Sequence, residues 1–397
     1  MVIYVLGADK MKYLIQELRN NKKFIEYSTN IKNKISPIEL SGLTDVGKAQ
    51  IISATAEENK RPILIITYNE IKAKKLLNDL KYFTTNVDYF PKREIVAYDY
   101  EAESKDVPYE RIEVLNKIKQ NKAEIIITTI EALMQKMISK ELLYKYVIQF
   151  KVGNTYNLEE IKQNLIQLGY DRNDLVENKG QFSVRGGIID IGLTEKQGIR
   201  IEFWGDEVDS IRSFDVESQR STENLQEIEI YPATENWKQM ETESFLAYFP
   251  VKETILFLDE PVRLQESAEI VEKEYFHSLE SREEAGMETD EIPIQVEQTD
   301  HTIGKMNKYY GIAFTMLESK CGMFKVRSVY SLQVKTVNPY NSSFELLTRD
   351  LKKLKRTGYR VILVSGSRTR AKRLAEDLRD YDLSSFYSEE MERQVNP

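Results

Sequence analysis

Residues 42–49 read GLTDVGKA, which follows the spacing of a phosphate-binding loop except at its last position. In a working loop, glycines such as Gly42 and Gly47 let backbone N–H groups close around phosphates, and a lysine such as Lys48 reaches the outer phosphates. A serine or threonine then binds Mg²⁺, but this chain has Ala49, whose methyl group cannot coordinate a metal. Without the metal, the charge on a transferred γ-phosphate loses its main stabiliser. The sequence therefore predicts a nucleotide-hydrolase fold with no catalytic residues and no cofactor of its own.

A second motif could supply the other half of such a site. Residues 254–260 read TILFLDE, an apolar run that ends in two acids, and folds of this type place metal-side carboxylates at the carboxyl end of a strand. Asp259 and Glu260 are therefore the predicted partners of Lys48 in a degenerate nucleotide site. Because Gly42, Gly47 and Lys48 survive, residual ATP binding or hydrolysis stays open as an alternative, although hydrolysis would also need an arginine from a second motor lobe.

The totals describe an ordinary soluble protein. The 397 residues allow two to four domains, with 41% hydrophobic and 30% charged residues. No apolar run approaches the roughly 20 residues that span a bilayer, and the N-terminus lacks the features of a signal peptide, so we expect a cytoplasmic protein with no membrane role. Cys321 is the single cysteine, and His277 and His301 are the two histidines, which disfavours a metal site.

Charge is distributed unevenly along the chain. The net charge of −8 argues against the whole chain wrapping nucleic acid. Residues 277–300 hold eight acids against Arg282 and are interpreted as a solvated loop, with a partner-binding loop as the alternative. Residues 344–379 hold eleven basic residues on two predicted helices, so binding of duplex DNA also stays open. The candidate DNA-binding residues are Lys352, Lys353, Lys355, Arg356, Arg368, Arg370 and Arg373.

Strand and helix patterns alternate in the first part of the chain. The predicted strands are 37–40, 62–67, 87–90 and 124–129, and the predicted helices are 47–57, 71–82, 110–120 and 131–137. Residues 1–6 read as a further strand. Such alternation predicts an α/β fold, a RecA-like or P-loop-like parallel sheet with helices on both faces.

The pattern changes after residue 142. One helix at 158–168 is followed by closely spaced strands at 181–184, 187–191, 199–204, 207–214 and 225–231, which predicts a small, mostly antiparallel α+β module. The parallel-sheet pattern returns at residues 254–260. The sheet is therefore predicted to be split by an inserted domain.

These patterns predict how the chain divides into domains. The predicted units are a degenerate RecA-like domain in two parts (1–142 and 216–337), an inserted domain (143–215), a linker (338–343) and a partial α/β domain (344–397). In the last unit, a helix at 344–356 precedes a strand at 360–364 and a helix at 368–381. Because a single strand–helix unit cannot bury both faces of a sheet, we expect the natural polypeptide to continue.

Four segments of the inserted module resemble a known family. They are residues 169–172 (GYDR), 180–191 (GQFSVRGGIIDI), 199–212 (IRIEFWGDEVDSIR) and 214–221 (FDVESQRS). They are similar to the amino-terminal region of the bacterial transcription-repair coupling factors, a region itself similar to the excision-repair protein UvrB. Weaker similarity extends over most of residues 1–380.

The resemblance implies a division of labour. In this family a carboxyl-terminal motor uses ATP and Mg²⁺ to translocate on double-stranded DNA and displace stalled RNA polymerase. The amino-terminal region recruits UvrA, the damage-recognition ATPase of nucleotide excision repair. The chain is therefore expected to be the non-catalytic recruiter, with the inserted module as its UvrA-binding domain.

The resemblance also maps candidate UvrA contacts onto Arg172, Arg185 and Phe182. Arginine offers a rigid fork of donors for a carboxylate, and arginine with aromatic neighbours is the usual composition of an interface hot spot. The alternative for the arginines is ordinary ion pairs with nearby acids, which are Asp171, Glu177 and Asp190. For the aromatic residues Phe182, Phe203 and Trp204, strand alternation favours packing in the module's own core over contact with a partner.

The chain departs from the UvrB branch in two places. UvrB-like proteins carry an intact phosphate loop and a long tyrosine-rich hairpin that clamps DNA. This chain has Ala49, and only residues 98–109 occupy the place of the hairpin. Tyr98, Tyr100 and Tyr109 could still stack on bases. The departures favour the coupling factors, with a UvrB-like repair subunit as the alternative.

Overall fold

The computed structural model describes residues 2–5, 12–93, 106–233, 241–284, 286, 295–316, 322–337, 339–341 and 343–388. The first part contains β1 (Val2–Val5), α1 (Lys12–Arg19), α2 (Lys22–Lys32), β2 (Ile38–Ser41), α3 (Asp45–Asn59), β3 (Ile63–Thr67), α4 (Glu70–Leu80), β4 (Val87–Phe90), α5 (Asp106–Lys119), β5 (Ile125–Thr129), α6 (Ile130–Met134), β6 (Met137–Ile138) and α7 (Lys140–Lys145). The middle part contains β7 (Ile148–Lys151), α8 (Leu158–Gln167), β8 (Asp171–Arg172), β9 (Gln181–Arg185), β10 (Ile188–Gly192), β11 (Gln197–Trp204), β12 (Glu207–Asp215), β13 (Ser221–Leu225) and β14 (Glu227–Ile230). The last part contains β15 (Thr242–Glu243), a 3₁₀ turn (Phe245–Tyr248), β16 (Ile255–Asp259), α9 (Pro261–Glu284), α10 (Thr299–Met306), β17 (Tyr310–Thr315), β18 (Ser328–Ser331), α11 (Phe344–Arg356), β19 (Ile362–Ser365), α12 (Arg368–Arg379) and β20 (Phe386–Ser388).

The largest sheet is parallel and has seven strands in the order β18-β2-β17-β16-β3-β5-β4. Every residue of β3 and β16 is buried, as expected for parallel strands covered on both faces. Alternate residues of β3 enter different cores: Ile63 and Ile65 pack with α2 and α3, while Leu64 and Ile66 pack with α6 and α9. Strands from before and after the middle part thus share one sheet, and the predicted split parallel sheet is confirmed.

The middle part folds around a six-stranded sheet in the order β13-β12-β11-β10-β9-β8. Its pairs are antiparallel apart from β8 with β9. One face packs against α8, where Ile161 and Leu165 meet Phe182 and Ile201. The predicted mostly antiparallel module is confirmed in its architecture.

One predicted strand and one predicted boundary in this module need correction. The expected strand at 225–231 is β14, which pairs with β7 and not with the six-stranded sheet. The edge strand of that sheet, β13, lies just before it and was not predicted. No glycine or proline marks the break between β13 and β14, so the sequence pattern runs through it. Because β12 pairs with β13 beyond residue 215, we propose to end the inserted unit after Ile230.

The C-terminal unit is completed by the N-terminus of the chain. Strand β1 is the central strand of a parallel three-stranded sheet, with Val2 opposite Ile362 on β19 and opposite Phe386 on β20. Leu351 of α11 packs with Ala375 and Leu378 of α12 in the core of this unit. The expectation of a single unpaired strand–helix unit is therefore wrong, because β19 and β20 both pair with β1.

The structure describes part of the acidic stretch at 277–300 and all of the basic stretch at 344–379. The acidic stretch is not simply a loop, because α9 continues to Glu284, and Glu297 is buried and paired with Lys305. Residues 287–294 lie outside the described residues. The two predicted basic helices are confirmed as α11 and α12.

Three sequence-based expectations concern membranes, metals and tyrosines. Among the helices that the structure describes, none combines the length and apolar character needed to cross a bilayer. Within the same residues, no group of three or more histidine, cysteine or carboxylate side chains could hold a metal ion.

Tyr98 and Tyr100 lie outside the described residues. Tyr109 packs against Gly180 and beneath the Lys179 ammonium, 5.4 Å from its ring centroid, so it faces the inserted unit.

The pairing of β1 predicts that the two ends of the chain fold as one unit. In a chain that begins at Lys12, β19 and β20 lose the strand between them, and amide exchange at residues 362–365 should rise to the rate of an unfolded segment. Amides of β3 should stay protected, because the seven-stranded sheet does not use β1. Hydrogen exchange measured by mass spectrometry checks this, and unchanged protection at residues 362–365 would contradict the pairing.

Candidate functional site

The glycine loop leaves β2 under close cover from another segment. Gly42 has a positive φ of 74°, and a Cβ at this position would lie 2.9 Å from the carbonyl oxygen of Leu332, so only glycine fits. The backbone N–H of Gly42 donates to Thr315, and its carbonyl accepts from the N–H of Val334. The segment that follows β18 therefore covers the start of the loop.

The rest of the loop is wound into helix α3. The helix begins at Asp45, and Thr44 is its N-cap: its hydroxyl accepts from the N–H of Gly47 at 3.2 Å, and its carbonyl accepts from the N–H of Lys48 at 2.9 Å. Two N–H groups that a phosphate would need are thus used within the first helical turn. Gly47 belongs to this turn rather than to an open cradle.

An acid also stands at the start of this helix. The carboxylate of Asp45 pairs with Lys75 at 2.6 Å and Lys72 at 3.3 Å, both on α4. Burial opposes the charged form of Asp45, but the two lysines outweigh it and lower the pKa of the carboxyl group. A negative charge therefore occupies the helix end that a phosphate would otherwise approach.

Lys48 is held by the two acids that follow β16. Its Nζ lies 2.6 Å from Oδ1 of Asp259 and 3.0 Å from Oε1 of Glu260. Lys48 and Asp259 are 6% and 5% exposed, so the pair is out of contact with bulk water. Burial opposes the lysine charge, but Asp259 and Glu260 outweigh it and raise the pKa of Lys48. Burial in turn raises the pKa of Asp259, against the attraction of Lys48.

Glu260 adopts an unusual backbone conformation in this cluster. It has a φ of 56°, in the left-handed region that is uncommon for residues other than glycine. Its backbone N–H donates to the carbonyl of Phe314, and its second carboxylate oxygen accepts from the N–H of Met316 at 3.1 Å. The end of β17 therefore fixes the glutamate that shares the lysine.

Ala49 stands where a working phosphate loop has its metal-binding hydroxyl. Its methyl group is fully buried in the core between α3 and the parallel sheet. The structure thus brings Lys48 together with Asp259 and Glu260, as predicted, but the lysine already has two carboxylates in place of a phosphate. With an enclosed Gly42 and a wound helix at Gly47, these residues do not fit a nucleotide with Mg²⁺.

The second candidate site lies on the middle sheet. Strand alternation places Arg185, Asp190 and Arg200 on the face opposite the α8 core, which we call the outer face. Asp190 is fully buried. It accepts one hydrogen bond from Arg185 at 2.6 Å and two from Arg200, at 2.7 and 2.9 Å. A single carboxylate therefore anchors two guanidinium groups.

Arg185 remains accessible in this arrangement. Its side chain is 48% exposed, whereas Arg200 is 18% exposed and lies over the ring of Phe214 at 5.0 Å. The hydrogen bonds that Arg200 donates to Asp190 are the largest cause that raises the pKa of Arg200. The predicted alternative, an ion pair of Arg185 with Asp190, is confirmed as a contact. It orients the guanidinium without removing it from solvent.

Arg172 lies on a different face. It is exposed on the short edge strand β8, where it pairs with Phe182, so register places it on the α8 side of the sheet. A hydrogen bond from Lys162 chiefly lowers the pKa of Glu159, and the charge of Arg172 adds to this effect. Arg172 and Arg185 therefore reach a common partner only around the sheet edge.

The aromatic candidates separate clearly. Phe182 is fully buried beneath α8 and Phe203 is 9% exposed, so both belong to the core of the module. We withdraw Phe182 from the candidate contacts, because its ring has no free surface. The expectation of core packing is wrong for Trp204, whose side chain is 86% exposed.

Sequence reasoning missed Arg200, the second arginine that Asp190 holds on the outer face. Arg200 and Asp190 are directly opposite each other on β11 and β10. Their alternation with buried isoleucines on each strand was the available signal, because an acid and a base on matching strands would face each other. Their pairing could be found only with the register of β10 against β11.

Comparisons with known proteins bear on the same module. A family profile described as the UvrB interaction domain matches residues 148–236. The transcription-repair-coupling factor of Bacillus subtilis is 24% identical over 434 residues, which cover 92% of this chain and 37% of that protein. The protein of the same name from Staphylococcus haemolyticus is 34% identical over 220 residues, or 55% of this chain and 19% of that protein.

These matches set the extent of the similarity. The alignments span less than two fifths of the length of these relatives. The resemblance to the amino-terminal region of the transcription-repair coupling factors is confirmed. The profile ends at residue 236, near the end of β14 and beyond the boundary at 215 that the sequence alone indicated.

Removing the lysine from the buried cluster should strongly destabilise the protein. Lys48→Met leaves the carboxylate of Asp259 buried without its counter-ion, which costs about 3–5 kcal/mol of unfolding free energy. The double variant Lys48→Met/Asp259→Leu should recover most of that loss, because it removes both buried charges. Urea unfolding of wild type and the two variants checks this, and a double variant no more stable than Lys48→Met would contradict it.

The loss in Lys48→Met should also depend on pH. Without the ammonium, the folded state holds a proton on Asp259 more tightly than the unfolded state does. The folded pKa of Asp259 is then higher, so stability is greatest at low pH and falls as pH rises through that pKa. The variant should therefore be closer to wild type at pH 5 than at pH 8, and an equal loss at both would contradict the assignment.

Proposed function

We propose that this chain is the UvrA-recruiting, amino-terminal part of a transcription-repair coupling factor. In this proposal it acts in transcription-coupled nucleotide excision repair as a non-catalytic scaffold. A longer protein would add an ATP- and Mg²⁺-dependent translocase that acts on double-stranded DNA and RNA polymerase. The proposal fits the similarity to amino-terminal segments of proteins that carry this name.

The proposal rests on one observation: the module that matches the family profile folds as a separate sheet and presents an ordered arginine on its surface. The profile of the UvrB interaction domain covers the self-contained antiparallel sheet. The outer face of that sheet presents Arg185, half exposed and held in place by a buried carboxylate. An oriented guanidinium with free donors suits a carboxylate on a partner protein, because its side chain is already ordered before binding.

The parallel sheet supplies the frame in this proposal. Its order and its split by an inserted unit suit a RecA-like domain, and Lys48, Asp259 and Glu260 occupy the places of nucleotide-binding groups. Their mutual pairing and the buried Ala49 support a structural role. We therefore propose that this domain neither binds nor hydrolyses ATP.

The alternative of a UvrB-like subunit is less well supported. Such a subunit would need a working phosphate loop, and here the loop N–H groups are used within helix α3. The alternative of DNA binding through the C-terminal unit rests on the exposed basic residues of α11 and α12, for example Arg349 at 73% and Arg373 at 83% exposure. Exposure alone does not separate DNA binding from a solvated surface.

Substitution of Arg185 tests the recruiting role. Arg185→Ala should weaken binding of purified UvrA by roughly tenfold to a hundredfold, the range of an interface hot spot. The fold should survive, because Asp190 keeps both hydrogen bonds from Arg200. Arg185→Glu should have a larger effect, but it places a second carboxylate beside Asp190 and therefore needs a check of folding.

Two further variants complete this experiment, which uses surface plasmon resonance with immobilised UvrA. Arg172→Glu should weaken binding by roughly tenfold or less, because Arg172 lies around the sheet edge from Arg185. Arg373→Glu is the matched control, a charge reversal at an exposed arginine of the C-terminal unit, and should bind as wild type does. Unchanged affinity in both Arg185→Ala and Arg172→Glu would reject the assignment.

Nucleotide hydrolysis gives a separate test of the scaffold role. We expect Mg²⁺-dependent ATP turnover by the chain to equal that of Lys48→Met. Ala49→Thr should not create turnover, because its hydroxyl would enter the apolar core, and it should cost about 1–3 kcal/mol of stability. Turnover that Lys48→Met abolishes under conditions in which circular dichroism shows that variant to be folded would contradict the proposed absence of catalysis.

A further inference from the structure

Trp204 stands at the end of the β11–β12 hairpin with its indole in solvent. At 86% exposed, it is more accessible than any other large apolar residue in the described part of the chain. Single exposed apolar residues are common on protein surfaces and need no explanation. The exposed side chain of Trp204 becomes a candidate binding residue because of its position relative to Arg185.

Register places Trp204 and Arg185 on the same face and at the same end of the sheet. Arg185 lies opposite Ile188, and Ile188 lies opposite Glu202 on β11. The register of β11 against β12 shifts between Glu202 and Phe203, but burial still alternates along β11 through the buried Phe203, so Trp204 lies on the outer face. With strands about 4.8 Å apart and a rise of about 3.3 Å per residue, the two Cα atoms are roughly 12 Å apart.

Both hairpins at this end open into solvent. Gly186 and Gly205, which have positive φ values of 61°, would meet no atom within 4 Å if either carried a Cβ. The N–H of Phe203 donates to the carbonyl of Gly187 at 2.7 Å, so the two hairpins are joined by a hydrogen bond next to Trp204. The surface formed by Arg185, Ile188 and Trp204, which we call the tip surface, is therefore built on paired strands and is free to meet a partner.

The backbone of the tryptophan turn is also anchored from a second direction. The N–H of Tyr156 donates to the carbonyl of Asp206 at 2.8 Å, and Thr155 forms a bridge with Glu207. The backbone of the turn is thus fixed on both sides, whereas the indole itself lies almost entirely in solvent. A rigid aromatic side chain loses little conformational entropy on binding.

We propose that Trp204 is a contact residue of the UvrA interface and that the indole and Arg185 bind together as one hot spot. This inference rests on the proposed function, and it extends the interface from the β9–β10 hairpin to the β11–β12 hairpin. The partner surface it requires has an apolar pocket for the indole and, beside it, a carboxylate that pairs with Arg185. Tryptophan and arginine are the residue types most enriched at such positions.

Binding measurements test the contact directly. Trp204→Ala should weaken UvrA binding by about tenfold or more, and Trp204→Phe should retain most of the affinity. Because the indole contributes little to the core, the thermal unfolding of Trp204→Ala should match wild type. Ile166→Ala is the matched control, since Ile166 is 56% exposed on α8 and lies on the opposite side of the sheet.

A spectroscopic measurement gives an independent readout. The chain has two tryptophans, so Trp237→Phe leaves Trp204 as the single one, and 5-hydroxytryptophan can be incorporated there. This analogue can be excited apart from the tryptophans of UvrA. On addition of UvrA its emission should shift to the blue and its quenching by acrylamide should fall, because the indole becomes buried.

The outcomes separate this inference from the proposed function. Loss of binding in both Arg185→Ala and Trp204→Ala, with burial of the analogue, would support the tip surface. Loss in Arg185→Ala with wild-type affinity in Trp204→Ala and unchanged quenching would overturn the inference and leave the recruiting role in place. Absence of UvrA binding by the wild-type chain would overturn both.

Discussion

An ammonium group shared by two carboxylates closes the carboxyl edge of the seven-stranded sheet. Lys48 comes from the helix after β2, and Asp259 and Glu260 come from the end of β16, so the ion pair joins segments on either side of the inserted unit. A buried pair of this kind gives little net stability, but an unpaired member would be costly. It therefore favours the one strand arrangement in which all three groups meet.

A buried carboxylate holds a basic side chain both in the parallel sheet and in the inserted unit, but with opposite results. At the sheet edge, the groups that could bind phosphate are bonded to the protein itself, through Thr44, Asp259 and Glu260. In the inserted unit, Asp190 does the opposite, because its burial holds Arg185 where half of the side chain meets solvent. Asp259 thus holds its cation away from solvent, whereas Asp190 holds one at the surface.

Much of this organisation could be predicted from sequence because it depends on local patterns. The apolar runs of β3 and β16 marked buried parallel strands, and the spacing of residues 42–48 brought Lys48 to the acids of β16. Long-range pairing could not be predicted in the same way. The place of β1 between β19 and β20, and the partners of Asp190, depend on strand register, which no local pattern specifies. The exposure of Trp204 was likewise hidden, because tryptophan in a strand more often packs inward.

Hydrogen exchange of the chain with and without UvrA tests the central claim most directly, because it reports on the frame and the inserted unit in one measurement. We expect UvrA to slow exchange at residues 183–188 and 202–207 and to leave residues 42–48 unchanged, with no further change when ATP and Mg²⁺ are added. Protection confined to the parallel-sheet edge around Lys48, or protection there that depends on ATP, would contradict the account.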